Sequence, residues 1–127
     1  DARGLPLPDA SVDLAWSSLL VHHLDEPGIV ASLAEMRRVT RIGFVVSDLR
    51  RSIPALASVW ILTRLTSRNR LTLNDGPLSV RRSLKPGEVR ALAAKAGLQP
   101  CRGGEGSGFT LRRLGAARWL LVHRNPG

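Results

Sequence analysis

The run Ile42-Gly43-Phe44-Val45-Val46-Ser47 is β-branched and almost wholly apolar, and it closes on Asp48. A segment so short and so apolar suits a central strand, with a polar residue at its carboxyl end. A second apolar run, Val12 to Ser17, interrupted by Asp13, has the length of a strand buried on both faces of a parallel sheet. Between the two, Asp25 suits a helix N-cap and Glu26 and Pro27 a first turn, while Ile29, Val30, Leu33, Met36 and Val39 recur at helical spacing. Strand, helix and strand in this order predict a right-handed βαβ unit with the helix packed on the sheet. Glu35 and Arg38, three apart on that helix, read as a weak surface pair.

Around this unit the chain is punctuated by proline and glycine. Leu5-Pro6-Leu7-Pro8-Asp9-Ala10-Ser11 resists regular hydrogen bonding and reads as an extended loop. Ser52 suits the cap of a helix from Ile53-Pro54 through Trp60 to about Leu65, apolar on most sides and in need of cover. Ser67 to Ser83 turns polar and reads as a connecting stretch. Pro86, Glu88, Val89, Leu92, Ala93 and Ala96, closed by Gly97, mark a helix with a glycine stop. Leu98 to Arg102 reads as the start of a strand, and Phe109 to Leu114 and Trp119 to His123 as an antiparallel pair about Gly115-Ala116. Gly104-Glu105-Gly106-Ser107-Gly108 has the spelling of a phosphate loop but precedes a hairpin in place of a helix, so it reads as a flexible turn.

Composition narrows the function classes. At 127 residues the chain is the size of one domain. Its net charge of +9 favours anionic partners if gathered on one face. The arginines, however, run from Arg3 to Arg124, there is no tyrosine, and both phenylalanines fall in expected strands. A basic nucleic-acid-binding module is therefore the weaker alternative. Cys101, the single cysteine, rules out an internal disulfide and a thiolate metal cluster within one chain, which fits a reducing, cytoplasmic setting. The most apolar stretch, Ile53 to Leu62, is about half the roughly 20 residues of a membrane span, so no span is expected. The chain opens on Asp1-Ala2-Arg3-Gly4 without Met, as a processed or truncated piece would. Adjacent His22 and His23 are acid-base candidates because imidazole titrates near neutrality. A metal site is disfavoured because they lack a third ligand at a recognisable spacing.

The order of these segments is informative. Asp1-Ala2, the Leu5-Pro6-Leu7-Pro8-Asp9 loop, Val12-Asp13-Leu14, Leu20-Val21-His22-His23-Leu24, Glu35-Met36-Arg37-Arg38-Val39 and the strand ending Ser47-Asp48 resemble the second half of a class I S-adenosylmethionine-dependent methyltransferase of the small-molecule branch. Leu84-Lys85-Pro86-Gly87-Glu88, Ala96-Gly97-Leu98 and Arg118-Trp119-Leu120-Leu121-Val122 resemble that family's last helix and closing hairpin. The resemblance implies an α/β fold: the C-terminal part of a Rossmann-like sheet with parallel strands and a closing antiparallel hairpin. It divides one partial domain into a βαβ core with cofactor-side loops (1–52), a helical cover or substrate region (53–83), and a last helix with hairpin (84–127).

The resemblance further implies S-adenosylmethionine as cofactor and a small-molecule methyl acceptor. Asp1 would accept from the adenine amino group, the Ala2 amide would donate to a ring nitrogen, and Ser17, Ser18 and Leu19 would line the cofactor. His22 and His23 are the candidate catalytic groups, with Arg50 and Trp60 toward the substrate. The family's glycine-rich loop and its ribose-binding acidic residue do not occur in residues 1–127. Weak or absent activity of this segment alone is expected, as are uncovered edge strands that hint at a homo-oligomer. The other alternative is a non-catalytic assembly fragment of the same fold.

Overall fold

The computed structural model describes residues 1–66, 78, 80–101, 106–115 and 117–127, with backbone only at 55, 56, 59, 63 and 66. The elements are β1 (Val12–Ser18), a 3₁₀ turn (Val21–His23), α1 (Glu26–Val39), β2 (Thr40–Leu49), α2 (Ile53–Thr66), α3 (Pro86–Lys95), β3 (Gly108–Leu114) and β4 (Arg118–Arg124). They form one four-stranded sheet in the order β1-β2-β4-β3. β1 and β2 are parallel neighbours, and β4 runs antiparallel to both β2 and β3. This is the expected mixed sheet, a parallel βαβ unit closed by a hairpin.

Helix boundaries follow the local chemistry. Asp25 caps α1 by accepting from the Gly28 amide at 3.0 Å, with Pro27 in the first turn. The buried residues Ile29, Ser32, Leu33, Met36 and Val39 form one stripe of that helix. α3 opens with Pro86 in its first turn and the Lys85 amide donating to Glu88 at 2.8 Å. It stops at Gly97, whose φ is +77°, with Leu98 N donating to Ala93 O and Gly97 N to Ala94 O, both at 3.0 Å. That pair of bonds satisfies carbonyls the helix end would leave open.

One face of the sheet carries the core. Phe44, Val46, Trp119, Leu121 and Phe109 meet Ile29, Leu33 and Met36 of α1 and Val89, Leu92 and Ala93 of α3, with Leu98 below them. Each large side chain withdrawn from water here contributes roughly 1.5–3 kcal/mol. His123 is in this layer too, its ring 5.1 Å from that of Phe44. Burial pushes its pKa below the ordinary value, which favours the neutral ring.

The opposite face is different. Alternation along the strands places Leu14 and Trp16 there, beside Val45, Leu120 and Val122. Leu14 is 63% and Trp16 79% exposed. β1 is therefore not buried on both faces: it is an edge strand, covered only on the side where Ala15 meets the core. The strand expected over Leu98 to Arg102 is reduced to a single bridge between Pro100 and Phe109, and Arg102 lies outside the described residues. Most of the connecting stretch expected over Ser67 to Ser83, part of the glycine string and Ala116 also lie outside them.

Gly43 is a position where no other residue fits. Its φ is +154°, and a Cβ there would sit 2.0 Å from the His123 carbonyl oxygen across the β2–β4 ladder. Gly43→Ala is expected to cost roughly 3 kcal/mol of unfolding free energy. Gly87→Ala, where nothing lies within 4 Å, provides the control. Urea melts that show equal midpoints for the two variants would contradict this close approach.

Candidate active site

The carboxyl ends of β1 and β2 lie side by side, the place where parallel sheets gather ligands. Ser17 pairs with Val46 and Ser18 with Ser47. Beyond them the chain turns sharply: Leu19 has φ +56°, a conformation that costs a side-chain-bearing residue energy, while its amide donates to Ser47 O at 3.0 Å. The turn delivers Val21 and His22 onto the end of β2.

Asp48 receives them. Its side chain is 1% exposed. Oδ2 accepts from the amides of Val21 at 2.6 Å and His22 at 3.2 Å. Oδ1 stands 2.6 Å from His22 Nδ1 and also accepts from the Leu49 amide at 2.6 Å. A carboxylate oxygen accepts, so Nδ1 carries the hydrogen directed at Asp48, and in the neutral tautomer this selects, Nε2 is the acceptor. His22 is itself buried. His23 is exposed, its ring centroid 4.0 Å from that of His22 and tilted by 40°. The two histidines are thus in unlike environments, one locked and one open.

Two arginines frame the same strand ends. Arg118, at the start of β4, reaches across β2 so that Nη2 donates to Ser18 Oγ at 3.2 Å. Its Nε is buried without a hydrogen-bond partner, and so is that of Arg50. Arg50 follows β2, its amide donating to Ala117 O at 2.7 Å. Trp60 lies on α2, 48% exposed, with the Arg64 guanidinium 4.3 Å over its ring.

Asp1 and Ala2 sit at the amino end of α1. Asp1 is engaged by Arg3, which donates from its amide at 3.0 Å and from Nη2 at 2.7 Å. The Arg3 side chain in turn lies over Gly28, 3.4 Å from where a Cβ would stand. The Leu5 amide donates to Glu35 at 2.9 Å, and Arg38 donates to the carbonyls of Leu5 and Leu7 and pairs with both Asp9 and Glu35. Glu35 and Arg38 are therefore the tie that holds the N-terminal loop on α1, a role that their spacing on one helix does not reveal.

The structure thus brings Ser17, Ser18, Leu19 and His22 together and adds Asp48 and Arg118. Asp48 could have been suspected as a carboxylate ending an apolar strand. Arg118 carries no local signal, being 100 residues from Ser18. Among the described residues no cluster of His, Cys, Asp and Glu could hold a metal ion, and no helix is long and apolar enough to cross a membrane.

Comparisons with known proteins find similarity to methyltransferases. Residues 1–46 match the family profile described as "Methyltransferase domain". The chain is 37% identical over 98 residues to malonyl-[acyl-carrier protein] O-methyltransferase of Dechloromonas aromatica (strain RCB), a match that covers 77% of this chain and 33% of that protein. It therefore spans about a third of the length of that curated relative. Among solved structures, a SAM-dependent methyltransferase from Aquifex aeolicus superposes with TM-score 0.58 at 17% identity, over 98% of this chain and 51% of the other. Human N-acetylserotonin methyltransferase in complex with SAM does so with TM-score 0.58 at 16% identity, over 100% of this chain and 32% of the other. At such identities the structural likeness establishes the fold.

The N-terminal tie has a pH signature. Hydrogen bonds from Arg38, then from the Leu5 amide, hold the Glu35 carboxyl at about 2 against an ordinary 4.5. A carboxyl depressed by folding stabilises above its unfolded pKa, and the contribution is lost as pH falls through the folded one. Protection of the Leu5 amide from exchange is expected to be full at about pH 6, to decline below about 4.5 and to vanish near 2. Glu35→Gln should remove that acid dependence, and a Leu5 amide equally protected down to about pH 2 would contradict the tie.

Proposed function

The chain belongs to the class I S-adenosylmethionine-dependent methyltransferases, and on that premise we propose that it serves methyl transfer to a small-molecule acceptor at the ends of β1 and β2. The observation that carries the reading is the buried His22–Asp48 pair, with Nδ1 2.6 Å from the carboxylate, at the end of β2 next to Ser47, the residue that pairs with Ser18.

The strand ends fit the cofactor on chemical grounds. Ser17, Ser18 and Leu19 offer hydroxyls and backbone, and the buried, unpartnered Arg118 Nε is a spare donor suited to a carboxylate. Asp1 and Ala2 are proposed for the adenine end. Asp1 would have to exchange its Arg3 contacts for that role. When bound, S-adenosylmethionine supplies a methyl group already activated on a sulfonium, so alignment of the acceptor provides much of the rate.

The residues of this chain then do three things. Asp48 fixes the His22 ring and keeps the proton on Nδ1, which leaves Nε2 to take a proton from an acceptor hydroxyl or amine. His23, exposed beside it, is placed to assist at the mouth. Arg50 and Trp60 are proposed on the acceptor side, α2 serving as cover. The Dechloromonas relative is a malonyl-[acyl-carrier protein] O-methyltransferase, and a malonyl group carried on a protein presents a carboxylate. A carboxylate acceptor is the second reading, favoured by the spare donor on Arg50. It needs no base.

Calorimetric titration of the full-length protein with S-adenosylhomocysteine should give saturable heat, and none at millimolar ligand would overturn the methyltransferase reading. His22→Asn, whose Nδ2 can keep the donation to Asp48, should leave that affinity within about twofold and slow transfer to a hydroxyl or amine acceptor roughly a hundredfold or more. Transfer unchanged in His22→Asn but weakened in Arg50→Gln, through KM for an acidic acceptor, would select the carboxylate reading instead.

A further inference from the structure

We propose that α2 and the basic pocket at its amino end form a docking surface for an anionic lipid bilayer. The helix is the one proposed as cover for the acceptor, and its docking is argued from three features of the molecule that do not involve His22 or Asp48.

The first is the helix surface. Ile53 is 85%, Ile61 51%, Leu62 60% and Leu65 79% exposed, beside the half-exposed Trp60. At 3.6 residues per turn these positions sweep an arc of roughly 200°. An apolar arc of this width is broader than the stripe of a helix that lies on one face of a globular domain. At 14 residues the helix is about 21 Å long, short of the roughly 30 Å hydrocarbon core, and is too short to cross it.

The second is the placement of polar groups. Within the arc, Arg64 folds over Trp60 at 4.3 Å. An aromatic ring with a cation on it is at home at headgroup level, the ring toward the chains and the guanidinium toward phosphates.

The third is the charge at the base. A pocket of about 420 Å³ opens between Arg51, Ser52, Ile53, Val80, Arg81 and Lys85. Glu88 takes Arg51 and also receives the Lys85 amide, so one carboxylate faces the site. Arg81 and the Lys85 ammonium are exposed and supply the net positive charge for a lipid phosphate. Apolar insertion and cationic attraction together give stable, composition-sensitive binding where either alone is marginal.

The test is flotation of the full-length protein with vesicles of phosphatidylcholine alone or mixed with phosphatidylglycerol. Binding should be at least tenfold stronger on the anionic vesicles, and Trp60 emission should be quenched by brominated chains, with Trp60→Phe identifying the signal. Ile61→Glu/Leu65→Glu should abolish binding while leaving the circular dichroism unchanged. Arg81→Glu/Lys85→Glu should weaken it more than tenfold, each cation being worth about fivefold. Equal binding to neutral vesicles, loss in the charge variant alone with no quenching, or no binding at all would overturn the proposal. A lowered melting temperature in Ile61→Glu/Leu65→Glu with vesicle binding intact would assign α2 to a protein interface and also overturn it. Inorganic phosphate that binds at millimolar concentration in the absence of any vesicle affinity would reduce the pocket to a free-anion site and overturn it as well.

Discussion

A buried carboxylate is tolerable only if its charge is met, and at Asp48 four hydrogen bonds meet it. Three of them come from residues 21 and 22, so the same contacts that solvate the charge also bind the first crossover to the end of the second strand. The direction of the chain into α1 follows from this. Leu19 holds a left-handed turn, the Val21 and His22 amides seat on the carboxylate, and Asp25 can then cap the helix that lies across the core. Truncating one partner would leave an uncompensated charge among Val21, Trp119 and the other buried side chains, which is why the arrangement holds as a unit.

The two ends of the sheet are secured differently. At the carboxyl end the ties are Asp48 and the Arg118–Ser18 hydrogen bond, the second of which leaves Arg118 Nε without a partner. At the amino end Asn125 closes the ladder, donating to Thr40 O at 2.6 Å and accepting from His123 Nε2 at 3.0 Å. Unpartnered buried nitrogen atoms occur at both ends, Arg118 Nε at one and His123 Nδ1 at the other. The two faces differ as well: α1 and α3 cover one, while Leu14 and Trp16 lie open on the other.

Local chemistry made much of this readable from the chain alone. The βαβ unit follows from two apolar runs around a 3.6-residue stripe, and the end of α3 from Gly97, because these depend on residues near one another in the chain. The parallel pairing of β1 with β2 follows from the length of the crossover. What stayed hidden depends on distant partners. The pairing of His22 with Asp48 spans 26 residues and that of Ser18 with Arg118 spans 100, and neither leaves a periodic trace. β1 reads as a doubly buried strand from composition alone, yet among the described residues no helix covers the face that carries Trp16. Likewise Glu35 and Arg38 look like an ordinary surface pair until the loop they hold is seen.

If Asp48 sets the tautomer and orientation of His22, the imidazole itself must report it. Proton–nitrogen correlation spectra of the His22 ring, recorded on the native protein and on Asp48→Asn, provide that report. The expected result is a ring that carries its hydrogen-bonded proton on Nδ1 in the native protein, with that proton shifted downfield, and loss of the shift together with a mixed tautomer in the variant. A ring protonated on Nε2, or spectra that do not change when the carboxylate is removed, would contradict the role given to Asp48.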